Sequence, residues 1–285
     1  MDESFADVTP CFPASNSSEN NNDAENKTGK VTKLQPKFNP DDIFYDMTGD
    51  KYLVIFNHTT FKSTRYFYFQ KPTSRVGTDK DVASLKKTFS TLGYKVLTYQ
   101  DLEHGEILNK MLEISRLDHT TTSSLCIAIL THGDKGGHLF AADRPYDFSD
   151  LTKMLENGDQ GLVNKPKLFF IQACRGIDVD SGRTVQIDGD DSVIFHVPSH
   201  ADFFVYHSTV EGYAAYRNVK GSFFIQELCE VIDQYHNALD VLHIATLVNR
   251  KVAYDYSTYT PRNAATNDKK QMPEARYTLT KLFKF

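Results

Sequence analysis

Two kinds of apolar pattern alternate along the chain. In one, mostly apolar residues run together over four to eight positions, which reads as buried strand. In the other, apolar residues recur every three or four positions, which reads as a helix with one buried face. Residues 51–57, 95–99, 123–130, 167–171 and 203–206 are of the first kind. Val82, Leu85, Phe89 and Leu92 share a helical face, and Gly93 follows as a C-terminal stop. Ile107, Leu108, Met111, Leu112 and Ile114 make a second such face, and Phe148, Leu151, Met154 and Leu155 a third. Two further helices are expected over residues 222–236 and 241–255, and a closing strand over 277–283. Strands alternating with helices at these intervals predict an α/β fold with a mostly parallel sheet and helices on both faces.

Two segments break the rhythm. Residues 1–45 are rich in Asn, Asp, Ser and Pro and poor in aliphatics, so they read as a disordered leader. Residues 175–198 carry Asp178, Asp180, Asp188, Asp190 and Asp191 among glycines, the composition of a mobile acidic linker.

A net charge of -5 gives no footing for a nucleic-acid partner. No apolar run approaches the ~20 residues of a membrane span. Asp2, Glu3 and Asp7 stand where a signal peptide would carry basic residues, so the expected location is cytoplasmic. The four cysteines form no CxxC pair and no metal-ligand spacing with histidine, so neither a disulfide framework nor a metal or other cofactor is suggested. Cys126 and Cys229 fall inside apolar strand and helix patterns and read as small buried hydrophobes. Cys11 lies in the polar leader.

Cys174 differs from the other three. One predicted strand runs into Gln172-Ala173-Cys174-Arg175-Gly176, and another ends at Thr131-His132-Gly133. In open parallel sheets, ligands bind beyond the carboxyl ends of the strands. If these two strands are neighbours, a thiol and an imidazole emerge together, the pairing for nucleophilic attack on a carbonyl. The N–H groups of Gly133 and Cys174 could then hold the oxyanion.

The pentapeptide at Cys174, with a histidine about 40 residues upstream, resembles the signature of the caspase family. The resemblance runs from about Asp46 to Phe285. It includes residues 73–79, 131–134, 201–203, 216–218 and 221–226, all in the family's order. The short leader looks like that of the effector type, and an invertebrate source is one reading of it. The resemblance implies a caspase-like fold with a six-stranded central sheet. It also implies a cysteine endopeptidase with Cys174 as nucleophile and His132 as general base, the latter oriented by a backbone carbonyl near Thr73. Arg75 and Arg217, with Gln172 between them, match the family's clamp for a substrate aspartate. Ala215, Tyr216, Asn218 and Phe223 match other substrate-contacting positions. Arginine suits such a clamp because its fork binds carboxylate in two places at once.

The resemblance further implies a zymogen cut after aspartate. Asp188 is the first choice, Asp180 the second, and Asp23 a leader site with Asp7 as competitor. Cutting at Asp188 divides the chain into a large part, residues 46–188, and a small part, 189–285. The expected assembly is a homodimer of large–small pairs that acts on proteins in apoptosis. An upstream initiator caspase and inhibitor-of-apoptosis proteins are partners the family suggests. The chain departs from the family's usual pattern at Ala214, Ala215 and Tyr216, and Phe223 stands for a common tryptophan in a chain that has none. Ala214 should widen the pocket for the residue before the aspartate. A caspase-like regulator with little catalysis is the rival reading, supported only by Ala214 and Ala215.

Overall fold

The computed structural model describes residues 35–37, 39, 41–176, 201–259 and 267–285. Asp7, Cys11, Asp23, Asp180 and Asp188 lie outside the described residues. In chain order the elements are β1 (Asp50–Asn57), α1 (Thr78–Thr91), β2 (Tyr94–Gln100), α2 (His104–Ser115) and β3 (Thr122–Leu130). A small hairpin follows, β4 (Leu139–Phe140) and β5 (Pro145–Tyr146), then α3 (Phe148–Glu156) and β6 (Lys167–Gln172). Beyond the acidic segment come β7 (Phe203–His207), the short ribbon β8 (Arg217–Asn218) and β9 (Gly221–Ser222), α4 (Phe223–Tyr235), α5 (Val241–Asp255) and β10 (Glu274–Tyr277).

Six strands form one sheet in the order β10-β7-β6-β3-β1-β2. All pairings are parallel except that of β10 with β7. Every residue of β3 and β6 is buried, as expected of strands covered on both faces. Alternate residues serve two separate cores. Leu53, Cys126, Phe170 and Phe204 face α1, α4 and α5, while Val54, Ile127, Phe169 and Phe203 face α2 and α3. Each such fully buried side chain contributes about 1.5–3 kcal/mol relative to exposure, so a slip of one residue in register would turn both cores inside out. Cys126 and Cys229 are free thiols within one of these cores, and burial pushes both well above the usual thiol range.

The closing strand is displaced from its expected place. Pairing with β7 runs over Glu274–Tyr277, Thr278 extends it by backbone bonds to Asp202 and Phe203 at 2.8 Å, and residues 279–283 leave the sheet. Phe283 turns into the core, fully buried, while Leu282 bridges Phe44. The apolar alternation of 277–283 therefore reports a segment anchored at single positions and not a ladder. Tyr45, at the end of the polar leader, is also part of the fold. Its ring is buried and its hydroxyl donates to Asp202 at 2.7 Å.

Candidate active site

The β3–β6 register decides where the reactive residues emerge. Leu130 is paired with Gln172, and the Thr131 N–H continues the ladder to the Gln172 carbonyl at 3.0 Å. His132 and Cys174 thus leave the sheet at one edge, each two residues past that last pair. Gly133 makes the approach possible. A Cβ there would stand 2.2 Å from the Cys174 carbonyl oxygen, so only glycine lets the two strand ends close on each other.

The His132 ring is fixed from behind. Its Nε2 lies 2.8 Å from the Thr73 carbonyl oxygen, and Phe61 packs against the ring at 5.0 Å. A carbonyl only accepts, so Nε2 carries the proton of the neutral ring and Nδ1 keeps its lone pair. Burial, with the charges of Arg75 and Arg217 adding to it, holds this imidazole down to about 4. Cys174 Sγ faces the Ala215 peptide, accepting from its N–H at 3.4 Å and lying 3.7 Å from its carbonyl. Neither Gly133 nor Cys174 gives its own N–H to an acceptor among the described residues.

Arg75 is wholly buried, which is exceptional for a guanidinium. Nη1 donates to the His58 carbonyl at 2.9 Å and to Thr78 Oγ1 at 3.0 Å. Nε and Nη2 are buried with no partner among the described residues, and so is the side-chain oxygen of Gln172, which is 2% exposed. Desolvation, with the nearby Arg217 charge, pulls Arg75 down to about 9, so it remains a cation at neutral pH. Arg217 reaches the same region from β8 and donates through Nε to the Val76 carbonyl at 2.9 Å. Gly77 permits that contact. Its φ is +90°, and a Cβ would stand 2.3 Å from the Asn218 carbonyl. Buried donors without acceptors beside a second guanidinium make a receptor for a carboxylate.

The remaining expected contact residues have mixed positions. Ala215 touches the thiol through its backbone. The Tyr216 N–H donates to Gln271 at 2.7 Å, and its ring lies 6.3 Å from that of Phe223. Phe223, the first residue of α4, is buried against Tyr256 at 4.4 Å, so it acts as support. The side chain of Asn218 closes its own turn, accepting from the Lys220 N–H at 2.7 Å.

One residue at the site carried no warning in the sequence. Asp81 looks like an ordinary acidic residue in the first turn of a helix. It is fully buried, and its Oδ1 accepts from the Ser222 N–H at 2.8 Å and from Gln226 at 2.7 Å. It thereby joins α1 to β9 and α4 and places a carboxylate near the two arginines. Desolvation raises its pKa, partly opposed by these hydrogen bonds. Arg175 lies beside Cys174 but points away from the chemistry. It holds Glu274 of β10 and Glu211 of the loop before β8. Among the described residues no three His, Cys, Asp or Glu are placed to hold a metal ion. Nor is any helix among them long and apolar enough to cross a membrane.

Comparison with known proteins gives the same picture. A caspase-domain model matches residues 50–284. This chain belongs to the caspase family. Caspase-3 of Xenopus laevis is 39% identical over 227 residues, 78% of each chain. Caspase drICE of Drosophila melanogaster is 34% identical over 241 residues, 81% of this chain and 68% of the relative. The crystal structure of Caspase-1 from Spodoptera frugiperda superposes with a TM-score of 0.76 at 34% identity, covering 88% of this chain and 96% of that one. This caspase is a cysteine endopeptidase acting on protein substrates, with an executioner role in apoptosis.

Proposed function

We propose that this caspase cuts on the carboxyl side of aspartate, with Cys174 as nucleophile and His132 as its base. The observation that carries this reading is the buried Arg75 fork with two donors that have no partner among the described residues, next to Arg217 and to a thiol and an imidazole on one sheet edge. The substrate carboxylate accepts from Arg75, Arg217 and Gln172. The thiol proton passes to His132 Nδ1 as sulfur attacks the carbonyl, and the N–H groups of Gly133 and Cys174 hold the oxyanion. His132 then protonates the departing amine, and water hydrolyses the thioester by the reverse proton path.

The test is a pair of fluorogenic peptides ending in Asp or Asn, with the Cys174→Ala chain as blank. Cleavage of the Asp peptide alone is expected. Equal cleavage of both would place the specificity outside the arginine pair.

The electrostatics add a pH signature. In the free chain His132 is neutral above about pH 4, held there first by burial and then by the two arginines. A substrate carboxylate cancels the arginines' push, so the imidazole becomes more basic when substrate is bound. The acid limb of kcat, which reports the bound complex, is therefore expected at higher pH than that of kcat/KM. Rate profiles at saturating and at dilute peptide check this, and coincident limbs near 6.5 would contradict it.

The same reading takes the caspase as a cytoplasmic zymogen cut at Asp188, with Asp180 second and Asp23 in the leader, into parts 46–188 and 189–285. The partners it suggests are an upstream initiator caspase and inhibitor-of-apoptosis proteins, and the assembly it favours is a dimer of large–small pairs. In support, β10 is the last strand of the sheet with a half-exposed Tyr277, an edge open to a second copy.

A further inference from the structure

The loop that begins at Phe61 and ends at Thr73 both starts and finishes at His132. Phe61 packs on the imidazole at 5.0 Å, and the Thr73 carbonyl receives its proton. Between them the chain bears two aromatic side chains outward, Tyr68 at 88% and Phe69 at 76% exposure. Both have left-handed backbone, with φ of 53° and 57°. That conformation is costly for bulky residues and persists where surrounding contacts enforce it, which happens chiefly at functional sites.

The enforcement is visible here. Tyr68 N–H donates to the Arg65 carbonyl at 3.1 Å, Phe69 N–H to Thr64 at 2.8 Å and Gln70 N–H to Phe67 at 2.9 Å. The Ser63 hydroxyl donates to the Phe69 carbonyl at 2.7 Å. Phe67 is the anchor, buried with its ring tilted against Phe140 at 5.0 Å, and Phe140 itself lies 6.3 Å from His132. A buried neighbour and a set of local hydrogen bonds thus hold two aromatic rings in water, in the loop whose two ends hold His132.

We propose that Tyr68 and Phe69 form a platform for an apolar side chain on the leaving half of the substrate. The proposal rests on the protease reading above. His132 protonates the leaving amine, so the C-terminal half of the substrate begins at His132 and passes over what surrounds it. The N-terminal half lies on the other side of Cys174, along the Ala215–Arg217 segment. Two ring-to-ring steps of 6.3 and 5.0 Å separate His132 from Phe67, the residue before the platform. An extended chain covers such a span in about three residues at ~3.3 Å each. The occupant is therefore an apolar residue two to four positions after the cut.

The experiment uses two internally quenched peptides, identical except for Leu or Ser at the third position after the aspartate. The full, processed chain is expected to favour the Leu peptide by about tenfold in kcat/KM, with the difference residing in KM. In a Tyr68→Asn, Phe69→Asn double variant the ratio of the two peptides is expected to fall to about one. Asparagine is at home in left-handed backbone, so the loop keeps its course. A purely structural role for the rings would slow both peptides alike and leave the ratio unchanged, and that result overturns the proposal. So does an intact chain with no preference. If the intact chain cuts neither peptide, the protease reading itself falls and takes the platform with it.

Discussion

Exchange of Arg75 for glutamine is expected to lower kcat/KM for an aspartyl peptide by about three to four orders of magnitude. The size follows from burial. The guanidinium is shielded completely from water, so its attraction for a carboxylate is screened far less than at a surface. Two of its donors have no acceptor among the described residues, so the substrate forms these bonds without displacing any of those partners. Glutamine would keep one polar contact to the His58 carbonyl but supply neither the charge nor the fork. The same exchange removes one of the cations that depress His132, so the acid limb of the residual kcat/KM should move up in pH. Steady-state kinetics on the purified variant measure both effects. A loss below tenfold would mean that the carboxylate is bound without Arg75. A thermal midpoint close to that of the parent would show that the fold survives.

Exchange of His132 for glutamine is expected to cost about four orders of magnitude in kcat, with a smaller change in KM. Glutamine is the informative replacement because its amide can still donate to the Thr73 carbonyl, which His132 Nε2 reaches at 2.8 Å. The geometry behind the ring is then conserved while the Nδ1 lone pair, the proposed acceptor of the thiol proton, is lost. Proton transfer to and from the reacting centre disappears, and the arginine pair still binds the aspartate. Activity rising with pH toward that of a free thiolate would confirm that the missing step is deprotonation. A variant within tenfold of the parent would require another base.

The sheet was legible before any coordinates because strands buried on both faces write long apolar runs, and β3 and β6 are such strands. The thiol and imidazole were legible because each follows a run directly. Their meeting depended on β3 and β6 being neighbours, which periodicity cannot reveal. Asp81 was hidden for a related reason. An acidic residue in a first helical turn is common, and only the tertiary approach of β9 buries it. The final strand is shorter than expected because Tyr277, Leu279 and Phe283 fall on alternate positions, while Leu279, Leu282 and Phe283 serve as separate anchors. Tyr68 and Phe69 stand in a run of aromatic residues that reads as apolar, and nothing local shows that two of these rings face water.

The order of strands has a consequence for synthesis. Four neighbours, β2-β1-β3-β6, come from the chain before the acidic segment, and β7 and β10 come after it. Until β7 is made, β6 is an open edge of apolar residues, Leu168 to Ile171, with Lys167 as its only charge. Such an edge pairs readily with another copy of itself. The later part of the chain is thus an edge cover as well as the bearer of Arg217, and a nascent first half released alone would be a nucleus for aggregation. If the acidic segment is cut as proposed above, synthesis as one polypeptide first keeps that cover within reach of the growing sheet.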